Sequence, residues 1–241
     1  MTKITRAMVL AAGLGLRMRP LTEDLPKPLI ELYGRTLLDR ALDHLAIAGI
    51  GRTVVNTHYL AEMIEAHLDG KEDVVISHEP DLLDTGGGVA NALAHLGKRA
   101  FFAVNSDAVW IDGPSPTLDR LAEIWNGRRM DALLLFQPTV YATGYRGVGD
   151  YFLAPDGAAR RRREYQVAPY LFAGVQILHP RLFKDAPEGP YSLNLLFDRA
   201  EEAGRLYGMV HDGDWFHVGS PGDLARTESA LALRYVEVHS R

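Results

Sequence analysis

The chain has 241 residues, 47% of them hydrophobic and 24% charged, and its 26 Lys and Arg against 31 Asp and Glu give a formal net charge of −5. This is the composition of a globular chain long enough to bury a sizeable core, and the acidic balance argues against a nucleic-acid partner. Cysteine is absent, which excludes disulfides, a thiol nucleophile and Cys-ligated zinc or iron–sulfur centres.

The apolar run Ala7–Ala12 predicts a buried strand. The opening MTKITRAMVLAAG has too short an apolar stretch for a signal peptide, and no run approaches a membrane span. The expectation is a cytoplasmic protein with no membrane partner. The strand leads into Gly13-Leu14-Gly15-Leu16-Arg17, then into a loop ending Pro26-Lys27-Pro28-Leu29. Two glycines let a backbone turn sharply and bring its amides close to an anion. Arg17 offers a forked donor and Lys27 a mobile point charge, both suited to phosphate oxygens. The loop lacks the G-x-x-x-x-G-K-[ST] of a P-loop. It also lacks the third glycine of a dinucleotide fingerprint, since Met18 stands there, which argues against a nicotinamide-dependent oxidoreductase.

Further along, helices are expected at Thr36–Ala48, Leu60–Leu68, Gly88–Leu96 and Leu118–Asn126, between strands at Thr53–Asn56, Val74–Ser77, Ala100–Val104 and Ala132–Gln137. The strand runs are apolar and β-branched, as in strands covered on both faces. Leu37, Leu38, Ala41, Leu42 and Leu45 repeat with helical spacing. The alternation predicts an α/β fold, a doubly wound and mostly parallel sheet with ligand at the carboxyl ends of its strands. Asn56 ends the second strand, where it could reach a nucleotide or cap a turn. Glu79 opens the segment Glu79-Pro-Asp-Leu-Leu-Asp-Thr85-Gly86-Gly87-Gly88, whose glycines would expose backbone groups to a ring or anion. Asp107 follows the strand Phe101–Val104, where one carboxylate could share Mg²⁺ with phosphate oxygens.

The second half is more broken. Gly144–Gly149 is glycine-rich, and Tyr151–Leu153, Glu164–Val167 and Leu171–Leu178 predict shorter strands around an Ala154–Gly157 turn. Tyr191–Ala203 and Gly222–Leu233 predict helices. The four arginines Arg160–Arg163 are expected to form a solvated face.

The joined pattern GxGxR…PLTxxxPKPL resembles the signature of the sugar-1-phosphate nucleotidylyltransferases. The resemblance covers the whole chain and is weaker in the second half. It implies a Rossmann-like nucleotidyltransferase fold with an inserted smaller sugar-binding sheet. Residues 1–241 would then form a single domain, 1–140 holding the nucleotide and 141–241 the sugar. The implied reaction is attack by a sugar-1-phosphate oxygen on the α-phosphorus of a nucleoside triphosphate (NTP), releasing pyrophosphate. Arg17 and Lys27 would be catalytic, and Ala11, Ala12, Gly13, Gly15, Asn56, Glu79, Thr85, Gly86, Gly87 and Asp107 would bind nucleotide. Asp150, Glu164, Tyr170 and Gly174 would bind sugar.

Asp107 would hold Mg²⁺. The family's second metal carboxylate lies in W-x-D-[VI]-G, but here Trp215-Phe216-His217-Val218-Gly219 puts His217 in the Asp position. Three roles stay open: His217 contacts the metal, it bonds a phosphate, or Asp212 or Asp214 takes over. The Leu83–Gly88 loop and the Ile177-Leu178-His179-Pro180 segment look most like a short subgroup, the N-acetylmuramic acid-1-phosphate uridylyltransferases of peptidoglycan recycling. Relatives using mannose-1-phosphate with GTP, or glucose-1-phosphate with UTP or dTTP, remain alternatives. A non-catalytic sensor on the same fold is the alternative of another class.

Overall fold

The computed structural model describes residues 3–239, with side chains to residue 233. The elements in chain order are β1 (Arg6–Leu10), β2 (Glu31–Leu32), β3 (Arg35–Thr36), α1 (Leu37–Ile47), β4 (Arg52–Thr57), α2 (Ala61–Leu68), β5 (Val74–His78) and α3 (Asp84–Leu96). There follow β6 (Phe101–Asn105), β7 (Val109–Ile111), α4 (Thr117–Ile124), β8 (Ala132–Pro138), β9 (Ala142–Thr143), β10 (Tyr151–Leu153) and β11 (Ala159–Arg161). The chain ends with β12 (Tyr170–Leu178), α5 (Leu193–Glu202), β13 (Leu206–Val210), β14 (Asp214–Phe216) and α6 (Pro221–His239).

Helix α1 shows how local chemistry sets these elements. Thr36 caps it by accepting from the Asp39 N–H at 3.0 Å, which satisfies one of the unpaired amides at a helix start. Leu37, Leu38, Ala41 and Leu45 are buried along one face. The helix stops before Gly49, at φ +69°, a conformation that costs glycine nothing.

The main sheet runs β5-β4-β1-β6-β12-β8-β13. Strands β5, β4, β1 and β6 are parallel, and β13 is parallel to β8. Strand β12 is antiparallel to both β6 and β8. The chain lays β4 and β5 on one side of β1, then crosses back to place β6 on the other. That reversal opens a crevice beyond the carboxyl ends of β1 and β6, where ligands bind in such sheets. Two apolar layers cover the sheet: one includes Leu38, Leu45, Val104 and Leu133, the other Val89, Phe101, Phe136 and Phe197.

Several expected elements differ from those observed. β1 ends at Leu10, so Ala11 and Ala12 belong to the loop. Helix α3 begins at Asp84, which puts Gly86–Gly88 inside it. Glu164–Val167 is not a strand: residues 164–165 form a turn, because Arg162 crosses the segment and donates to the carbonyls of Gly149 (2.7 Å) and Glu164 (3.2 Å). The arginine run is engaged rather than merely solvated. Arg161 donates to both oxygens of Asp198 and Arg160 lies over the Phe152 ring. A smaller sheet is present, and it is built from β7, β14 and β9, while β10 and β11 extend the main sheet.

Candidate active site

The loop after β1 forms the floor of a cavity of about 550 Å³. Its wall includes Ala11, Ala12, Gly13, Gly15 and Arg17, then Lys27, Asn56, Thr85 and Asp107. Gly15 sits at φ +63°, and a Cβ there would press on Lys27 and Thr22 at 3.1 Å. The Thr22 hydroxyl donates to the Gly15 carbonyl at 2.9 Å and pins the turn. Arg17 is exposed and forms no ion pair among the described residues, so its guanidinium is available to a ligand. Lys27 pairs with Asp107 across 80 residues of chain, which joins the loop after β1 to the end of β6.

Behind this wall lies a buried polar lock. Asn56 Oδ1 accepts from the Ala11 N–H at 2.8 Å, and its amide donates to Glu79 Oε1 at 2.7 Å. Glu79 Oε2 accepts from the Leu83 N–H at 3.0 Å. Glu79 is 1% exposed, and a buried carboxylate is tolerable only when its lone pairs are satisfied. It stands outside the cavity and, through Asn56, ties the loop after β1 to the start of α3.

Gly86 and Gly87 also stand outside the cavity. Their N–H groups both donate to the Tyr191 carbonyl, at 2.8 and 3.2 Å. A Cβ on Gly86 would fall 2.3 Å from the Tyr191 ring, one on Gly87 2.6 Å from the Gly189 carbonyl, and one on Gly88 2.6 Å from Glu79. The glycine run is thus a close-packing device, and its amides are spent within the protein. Thr85 lines the cavity while its hydroxyl oxygen accepts from the Leu193 N–H at 2.9 Å.

A second cavity of about 210 Å³ adjoins the first and shares Arg17, Asn105 and Asp107 with it. Tyr145, Asp150, Gly174, Trp215 and His217 complete much of its wall. Gly174, at φ +81°, marks an irregularity in β12, and a Cβ there would press on Ala108 and Asn105. Asp150 Oδ2 accepts from the Phe172 N–H at 2.9 Å. The Trp215 indole N–H donates to the Ala173 carbonyl at 3.0 Å. Two expected sugar residues are not brought here. Glu164 is exposed on the turn, and Tyr170 stacks near Phe136 and lines a separate cavity with Val140 and Val167.

His217 lies with Nε2 3.9 Å from Asp223 Oδ2. Burial pushes its imidazole below the ordinary value, opposed by the Asp223 charge, so it is neutral at neutral pH. Neither Asp212 nor Asp214 lines either cavity. Asp212 pairs with Arg120, and Asp214 begins β14. Among the described residues no cluster of three or more His, Asp or Glu side chains could hold a metal by itself. A cation here would need phosphate oxygens to complete its shell, which is the usual state of Mg²⁺.

Sequence reasoning missed Asn105, Tyr145 and Trp215. Tyr145 carried a signal, since it lies in the glycine-rich segment 144–149. Asn105 carried none beyond its place before Asp107, and Trp215 none beyond opening the Trp215–Gly219 segment.

Comparison with known proteins identifies relatives of this chain. The description "MobA-like NTP transferase domain" matches residues 7–170. An N-acetylmuramate alpha-1-phosphate uridylyltransferase of Caulobacter vibrioides is 42% identical over 233 residues, 94% of this chain and 96% of the relative. One of Neisseria meningitidis serogroup B is 33% identical over 95% of this chain and 97% of the relative. A UDP-glucose pyrophosphorylase solved with UDP-glucose shares the fold, with a TM-score of 0.78 at 15% identity over 96% of this chain and 99% of that one. On these grounds the chain belongs to the MobA-like NTP transferase family and is an enzyme of the sugar-1-phosphate nucleotidyltransferase class.

Proposed function

We propose that the protein transfers a uridylyl group from UTP to N-acetylmuramic acid-1-phosphate, giving the UDP-sugar and pyrophosphate. Residues 1–241 would act as one nucleotidyltransferase unit in peptidoglycan recycling. The observation that carries this reading is the junction of the two cavities at Arg17, Asn105 and Asp107. Two phosphate-bearing substrates would meet where the cations are. The names of the two similar uridylyltransferases support the choice of base and sugar.

A phosphate monoester is already ionised at neutral pH, so no general base is required. The barrier lies in bringing two anions together and in the charge gathering on the departing pyrophosphate. Positioned donors acting on developing charge supply such acceleration. Arg17 and the amides of Gly13–Gly15 would hold the leaving phosphates. Lys27 would exchange Asp107 for the two reacting phosphates and draw the nucleophile inward. Asp107, with oxygens from the nucleotide, is the residue that fits a divalent cation, which when bound would neutralise phosphate charge. His217 fits poorly as a direct Mg²⁺ ligand, because imidazole is a softer donor than carboxylate and Nε2 lies towards Asp223. It would serve as a wall of the sugar cavity, with Asp150 and Gly174 beside it.

Pyrophosphate release tests this directly. UTP, GTP, dTTP and CTP would each be paired with the 1-phosphates of N-acetylmuramic acid, mannose and glucose. Turnover confined to UTP with N-acetylmuramic acid-1-phosphate is expected. Turnover with a different pair would reassign the substrate, and none with any pair would reject the catalytic reading.

A further inference from the structure

The amino ends of β1 and β6 lie at the edge of the sheet opposite the candidate active site. Two adjoining cavities occur there, of about 150 and 370 Å³, and both are walled by Lys3, Lys98 and Arg99. The smaller also includes Arg6 and Gly97, and the larger Trp125. No Asp or Glu lines either one. Among the described residues, none of these four cations forms an ion pair with a carboxylate. The chain as a whole is acidic, so this is a local excess of positive charge around a concavity.

Arg6 is the one of the four held by a side-chain hydrogen bond among the described residues. Its Nη1 donates to the His95 carbonyl at 2.7 Å, at the end of α3. Gly97 leaves the space for it, since a Cβ there would fall 2.6 Å from Nη1. That bond uses one of the five guanidinium donors, and the others have no acceptor among the described residues. A helix C-terminus attracts cations, which accounts for the placement of Arg6. It does not account for a walled hollow that gathers three more cations and no acid.

We propose that this hollow is a second anion site, remote from the catalytic one, which takes the polyphosphate group of a small molecule. Pyrophosphate and a nucleoside diphosphate share that chemistry. The Arg6 and Arg99 forks match phosphate oxygens, and Lys3 and Lys98 add mobile charge. The larger cavity beside Trp125 has room for an organic portion.

Calorimetric titration of the full chain with pyrophosphate tests the site. The native protein is expected to bind two equivalents. Lys98→Glu with Arg99→Glu removes one of them, by about tenfold or more in affinity, and leaves turnover at saturating substrate unchanged. Both residues are exposed, and Lys98→Gln with Arg99→Gln should give a smaller loss in the same direction. Arg17→Ala weakens the other equivalent, so failure of the catalytic reading shows separately. In the Arg17→Ala protein, tighter binding of UDP than of pyrophosphate would assign the Trp125 cavity to the organic portion. Equal affinity would assign the site to phosphate alone. A single equivalent that Arg17→Ala weakens and neither double variant touches overturns the proposal.

Discussion

The two cavities that meet at Asp107 draw their walls from different parts of the chain. The larger is lined by the glycine turn after β1, by strand ends and by the first turn of α3, with Arg17 and Lys27 as its cations. The smaller includes Tyr145, Asp150, Trp215 and His217, drawn from segments up to 72 residues apart. A glycine turn lets backbone amides approach a phosphate chain common to every nucleotide. A wall that includes large polar and aromatic side chains can change its ligand by substitution. On the function proposed above, the first wall would set the reaction and the second would select the sugar.

The sharpest way to break this contrast is Arg17→Ala. Loss of a donor aimed at developing phosphate charge should lower turnover by on the order of a hundredfold or more, read as pyrophosphate release under saturating substrates. Native turnover in that variant would remove Arg17 from the chemistry. Next in size is Gly86→Ala, which forces a methyl into the Tyr191 ring. Such overpacking costs about 1–3 kcal/mol, and a lowered urea midpoint is expected. Unchanged stability would mean that the helix start packs more loosely against Tyr191 than this contact implies.

Glu79→Gln probes the lock behind the nucleotide wall. Both carboxylate oxygens accept hydrogen bonds, from Asn56 and Leu83, and a side-chain amide cannot accept both with its two ends. A cost of about 1–3 kcal/mol follows, and KM for the nucleotide should rise more than kcat falls. An effect on kcat alone would place Glu79 nearer the chemistry than its position indicates.

The smallest effect is a pH dependence of stability. His44, stacked on Trp110 at 3.8 Å, and His211, between Thr117 and Asp214, are both held below the ordinary imidazole value, chiefly by burial. The unfolded chain therefore takes up these protons first as pH falls past about 6.5. Stability contributed by the neutral rings is complete above that pH and declines below it, towards the lowered folded values. Urea unfolding at pH 8, 7, 6 and 5 would reveal the slope, and His211→Gln should flatten it.

The turn after β1 was legible because glycine and proline impose local backbone geometry and because Arg17 and Lys27 stand close in sequence. The parallel strands were legible because each is a short apolar run between helical repeats. The glycines at 86–88 misled for a physical reason. An open anion-binding turn and a tightly packed helix start demand the same residue, and what distinguishes them here is the packing of Glu79 and of Gly189 and Tyr191, the last two over a hundred positions away. Glu164 and Tyr170 lie away from both cavities for reasons that are also non-local: Arg162 holds the turn that carries Glu164, and Tyr170 packs near Phe136 on β8.

By itself, then, the sequence determined the α/β order, the glycine loop after β1 and the residue types around it, all consequences of local periodicity and backbone freedom. The tertiary structure alone decided the smaller cavity beside Asp107, the buried Asn56–Glu79 lock and the basic hollow at the opposite edge. Each depends on strands from distant parts of the chain returning to one sheet, and neither β12 lying antiparallel to β6 nor β14 pairing with β7 and β9 leaves a local trace.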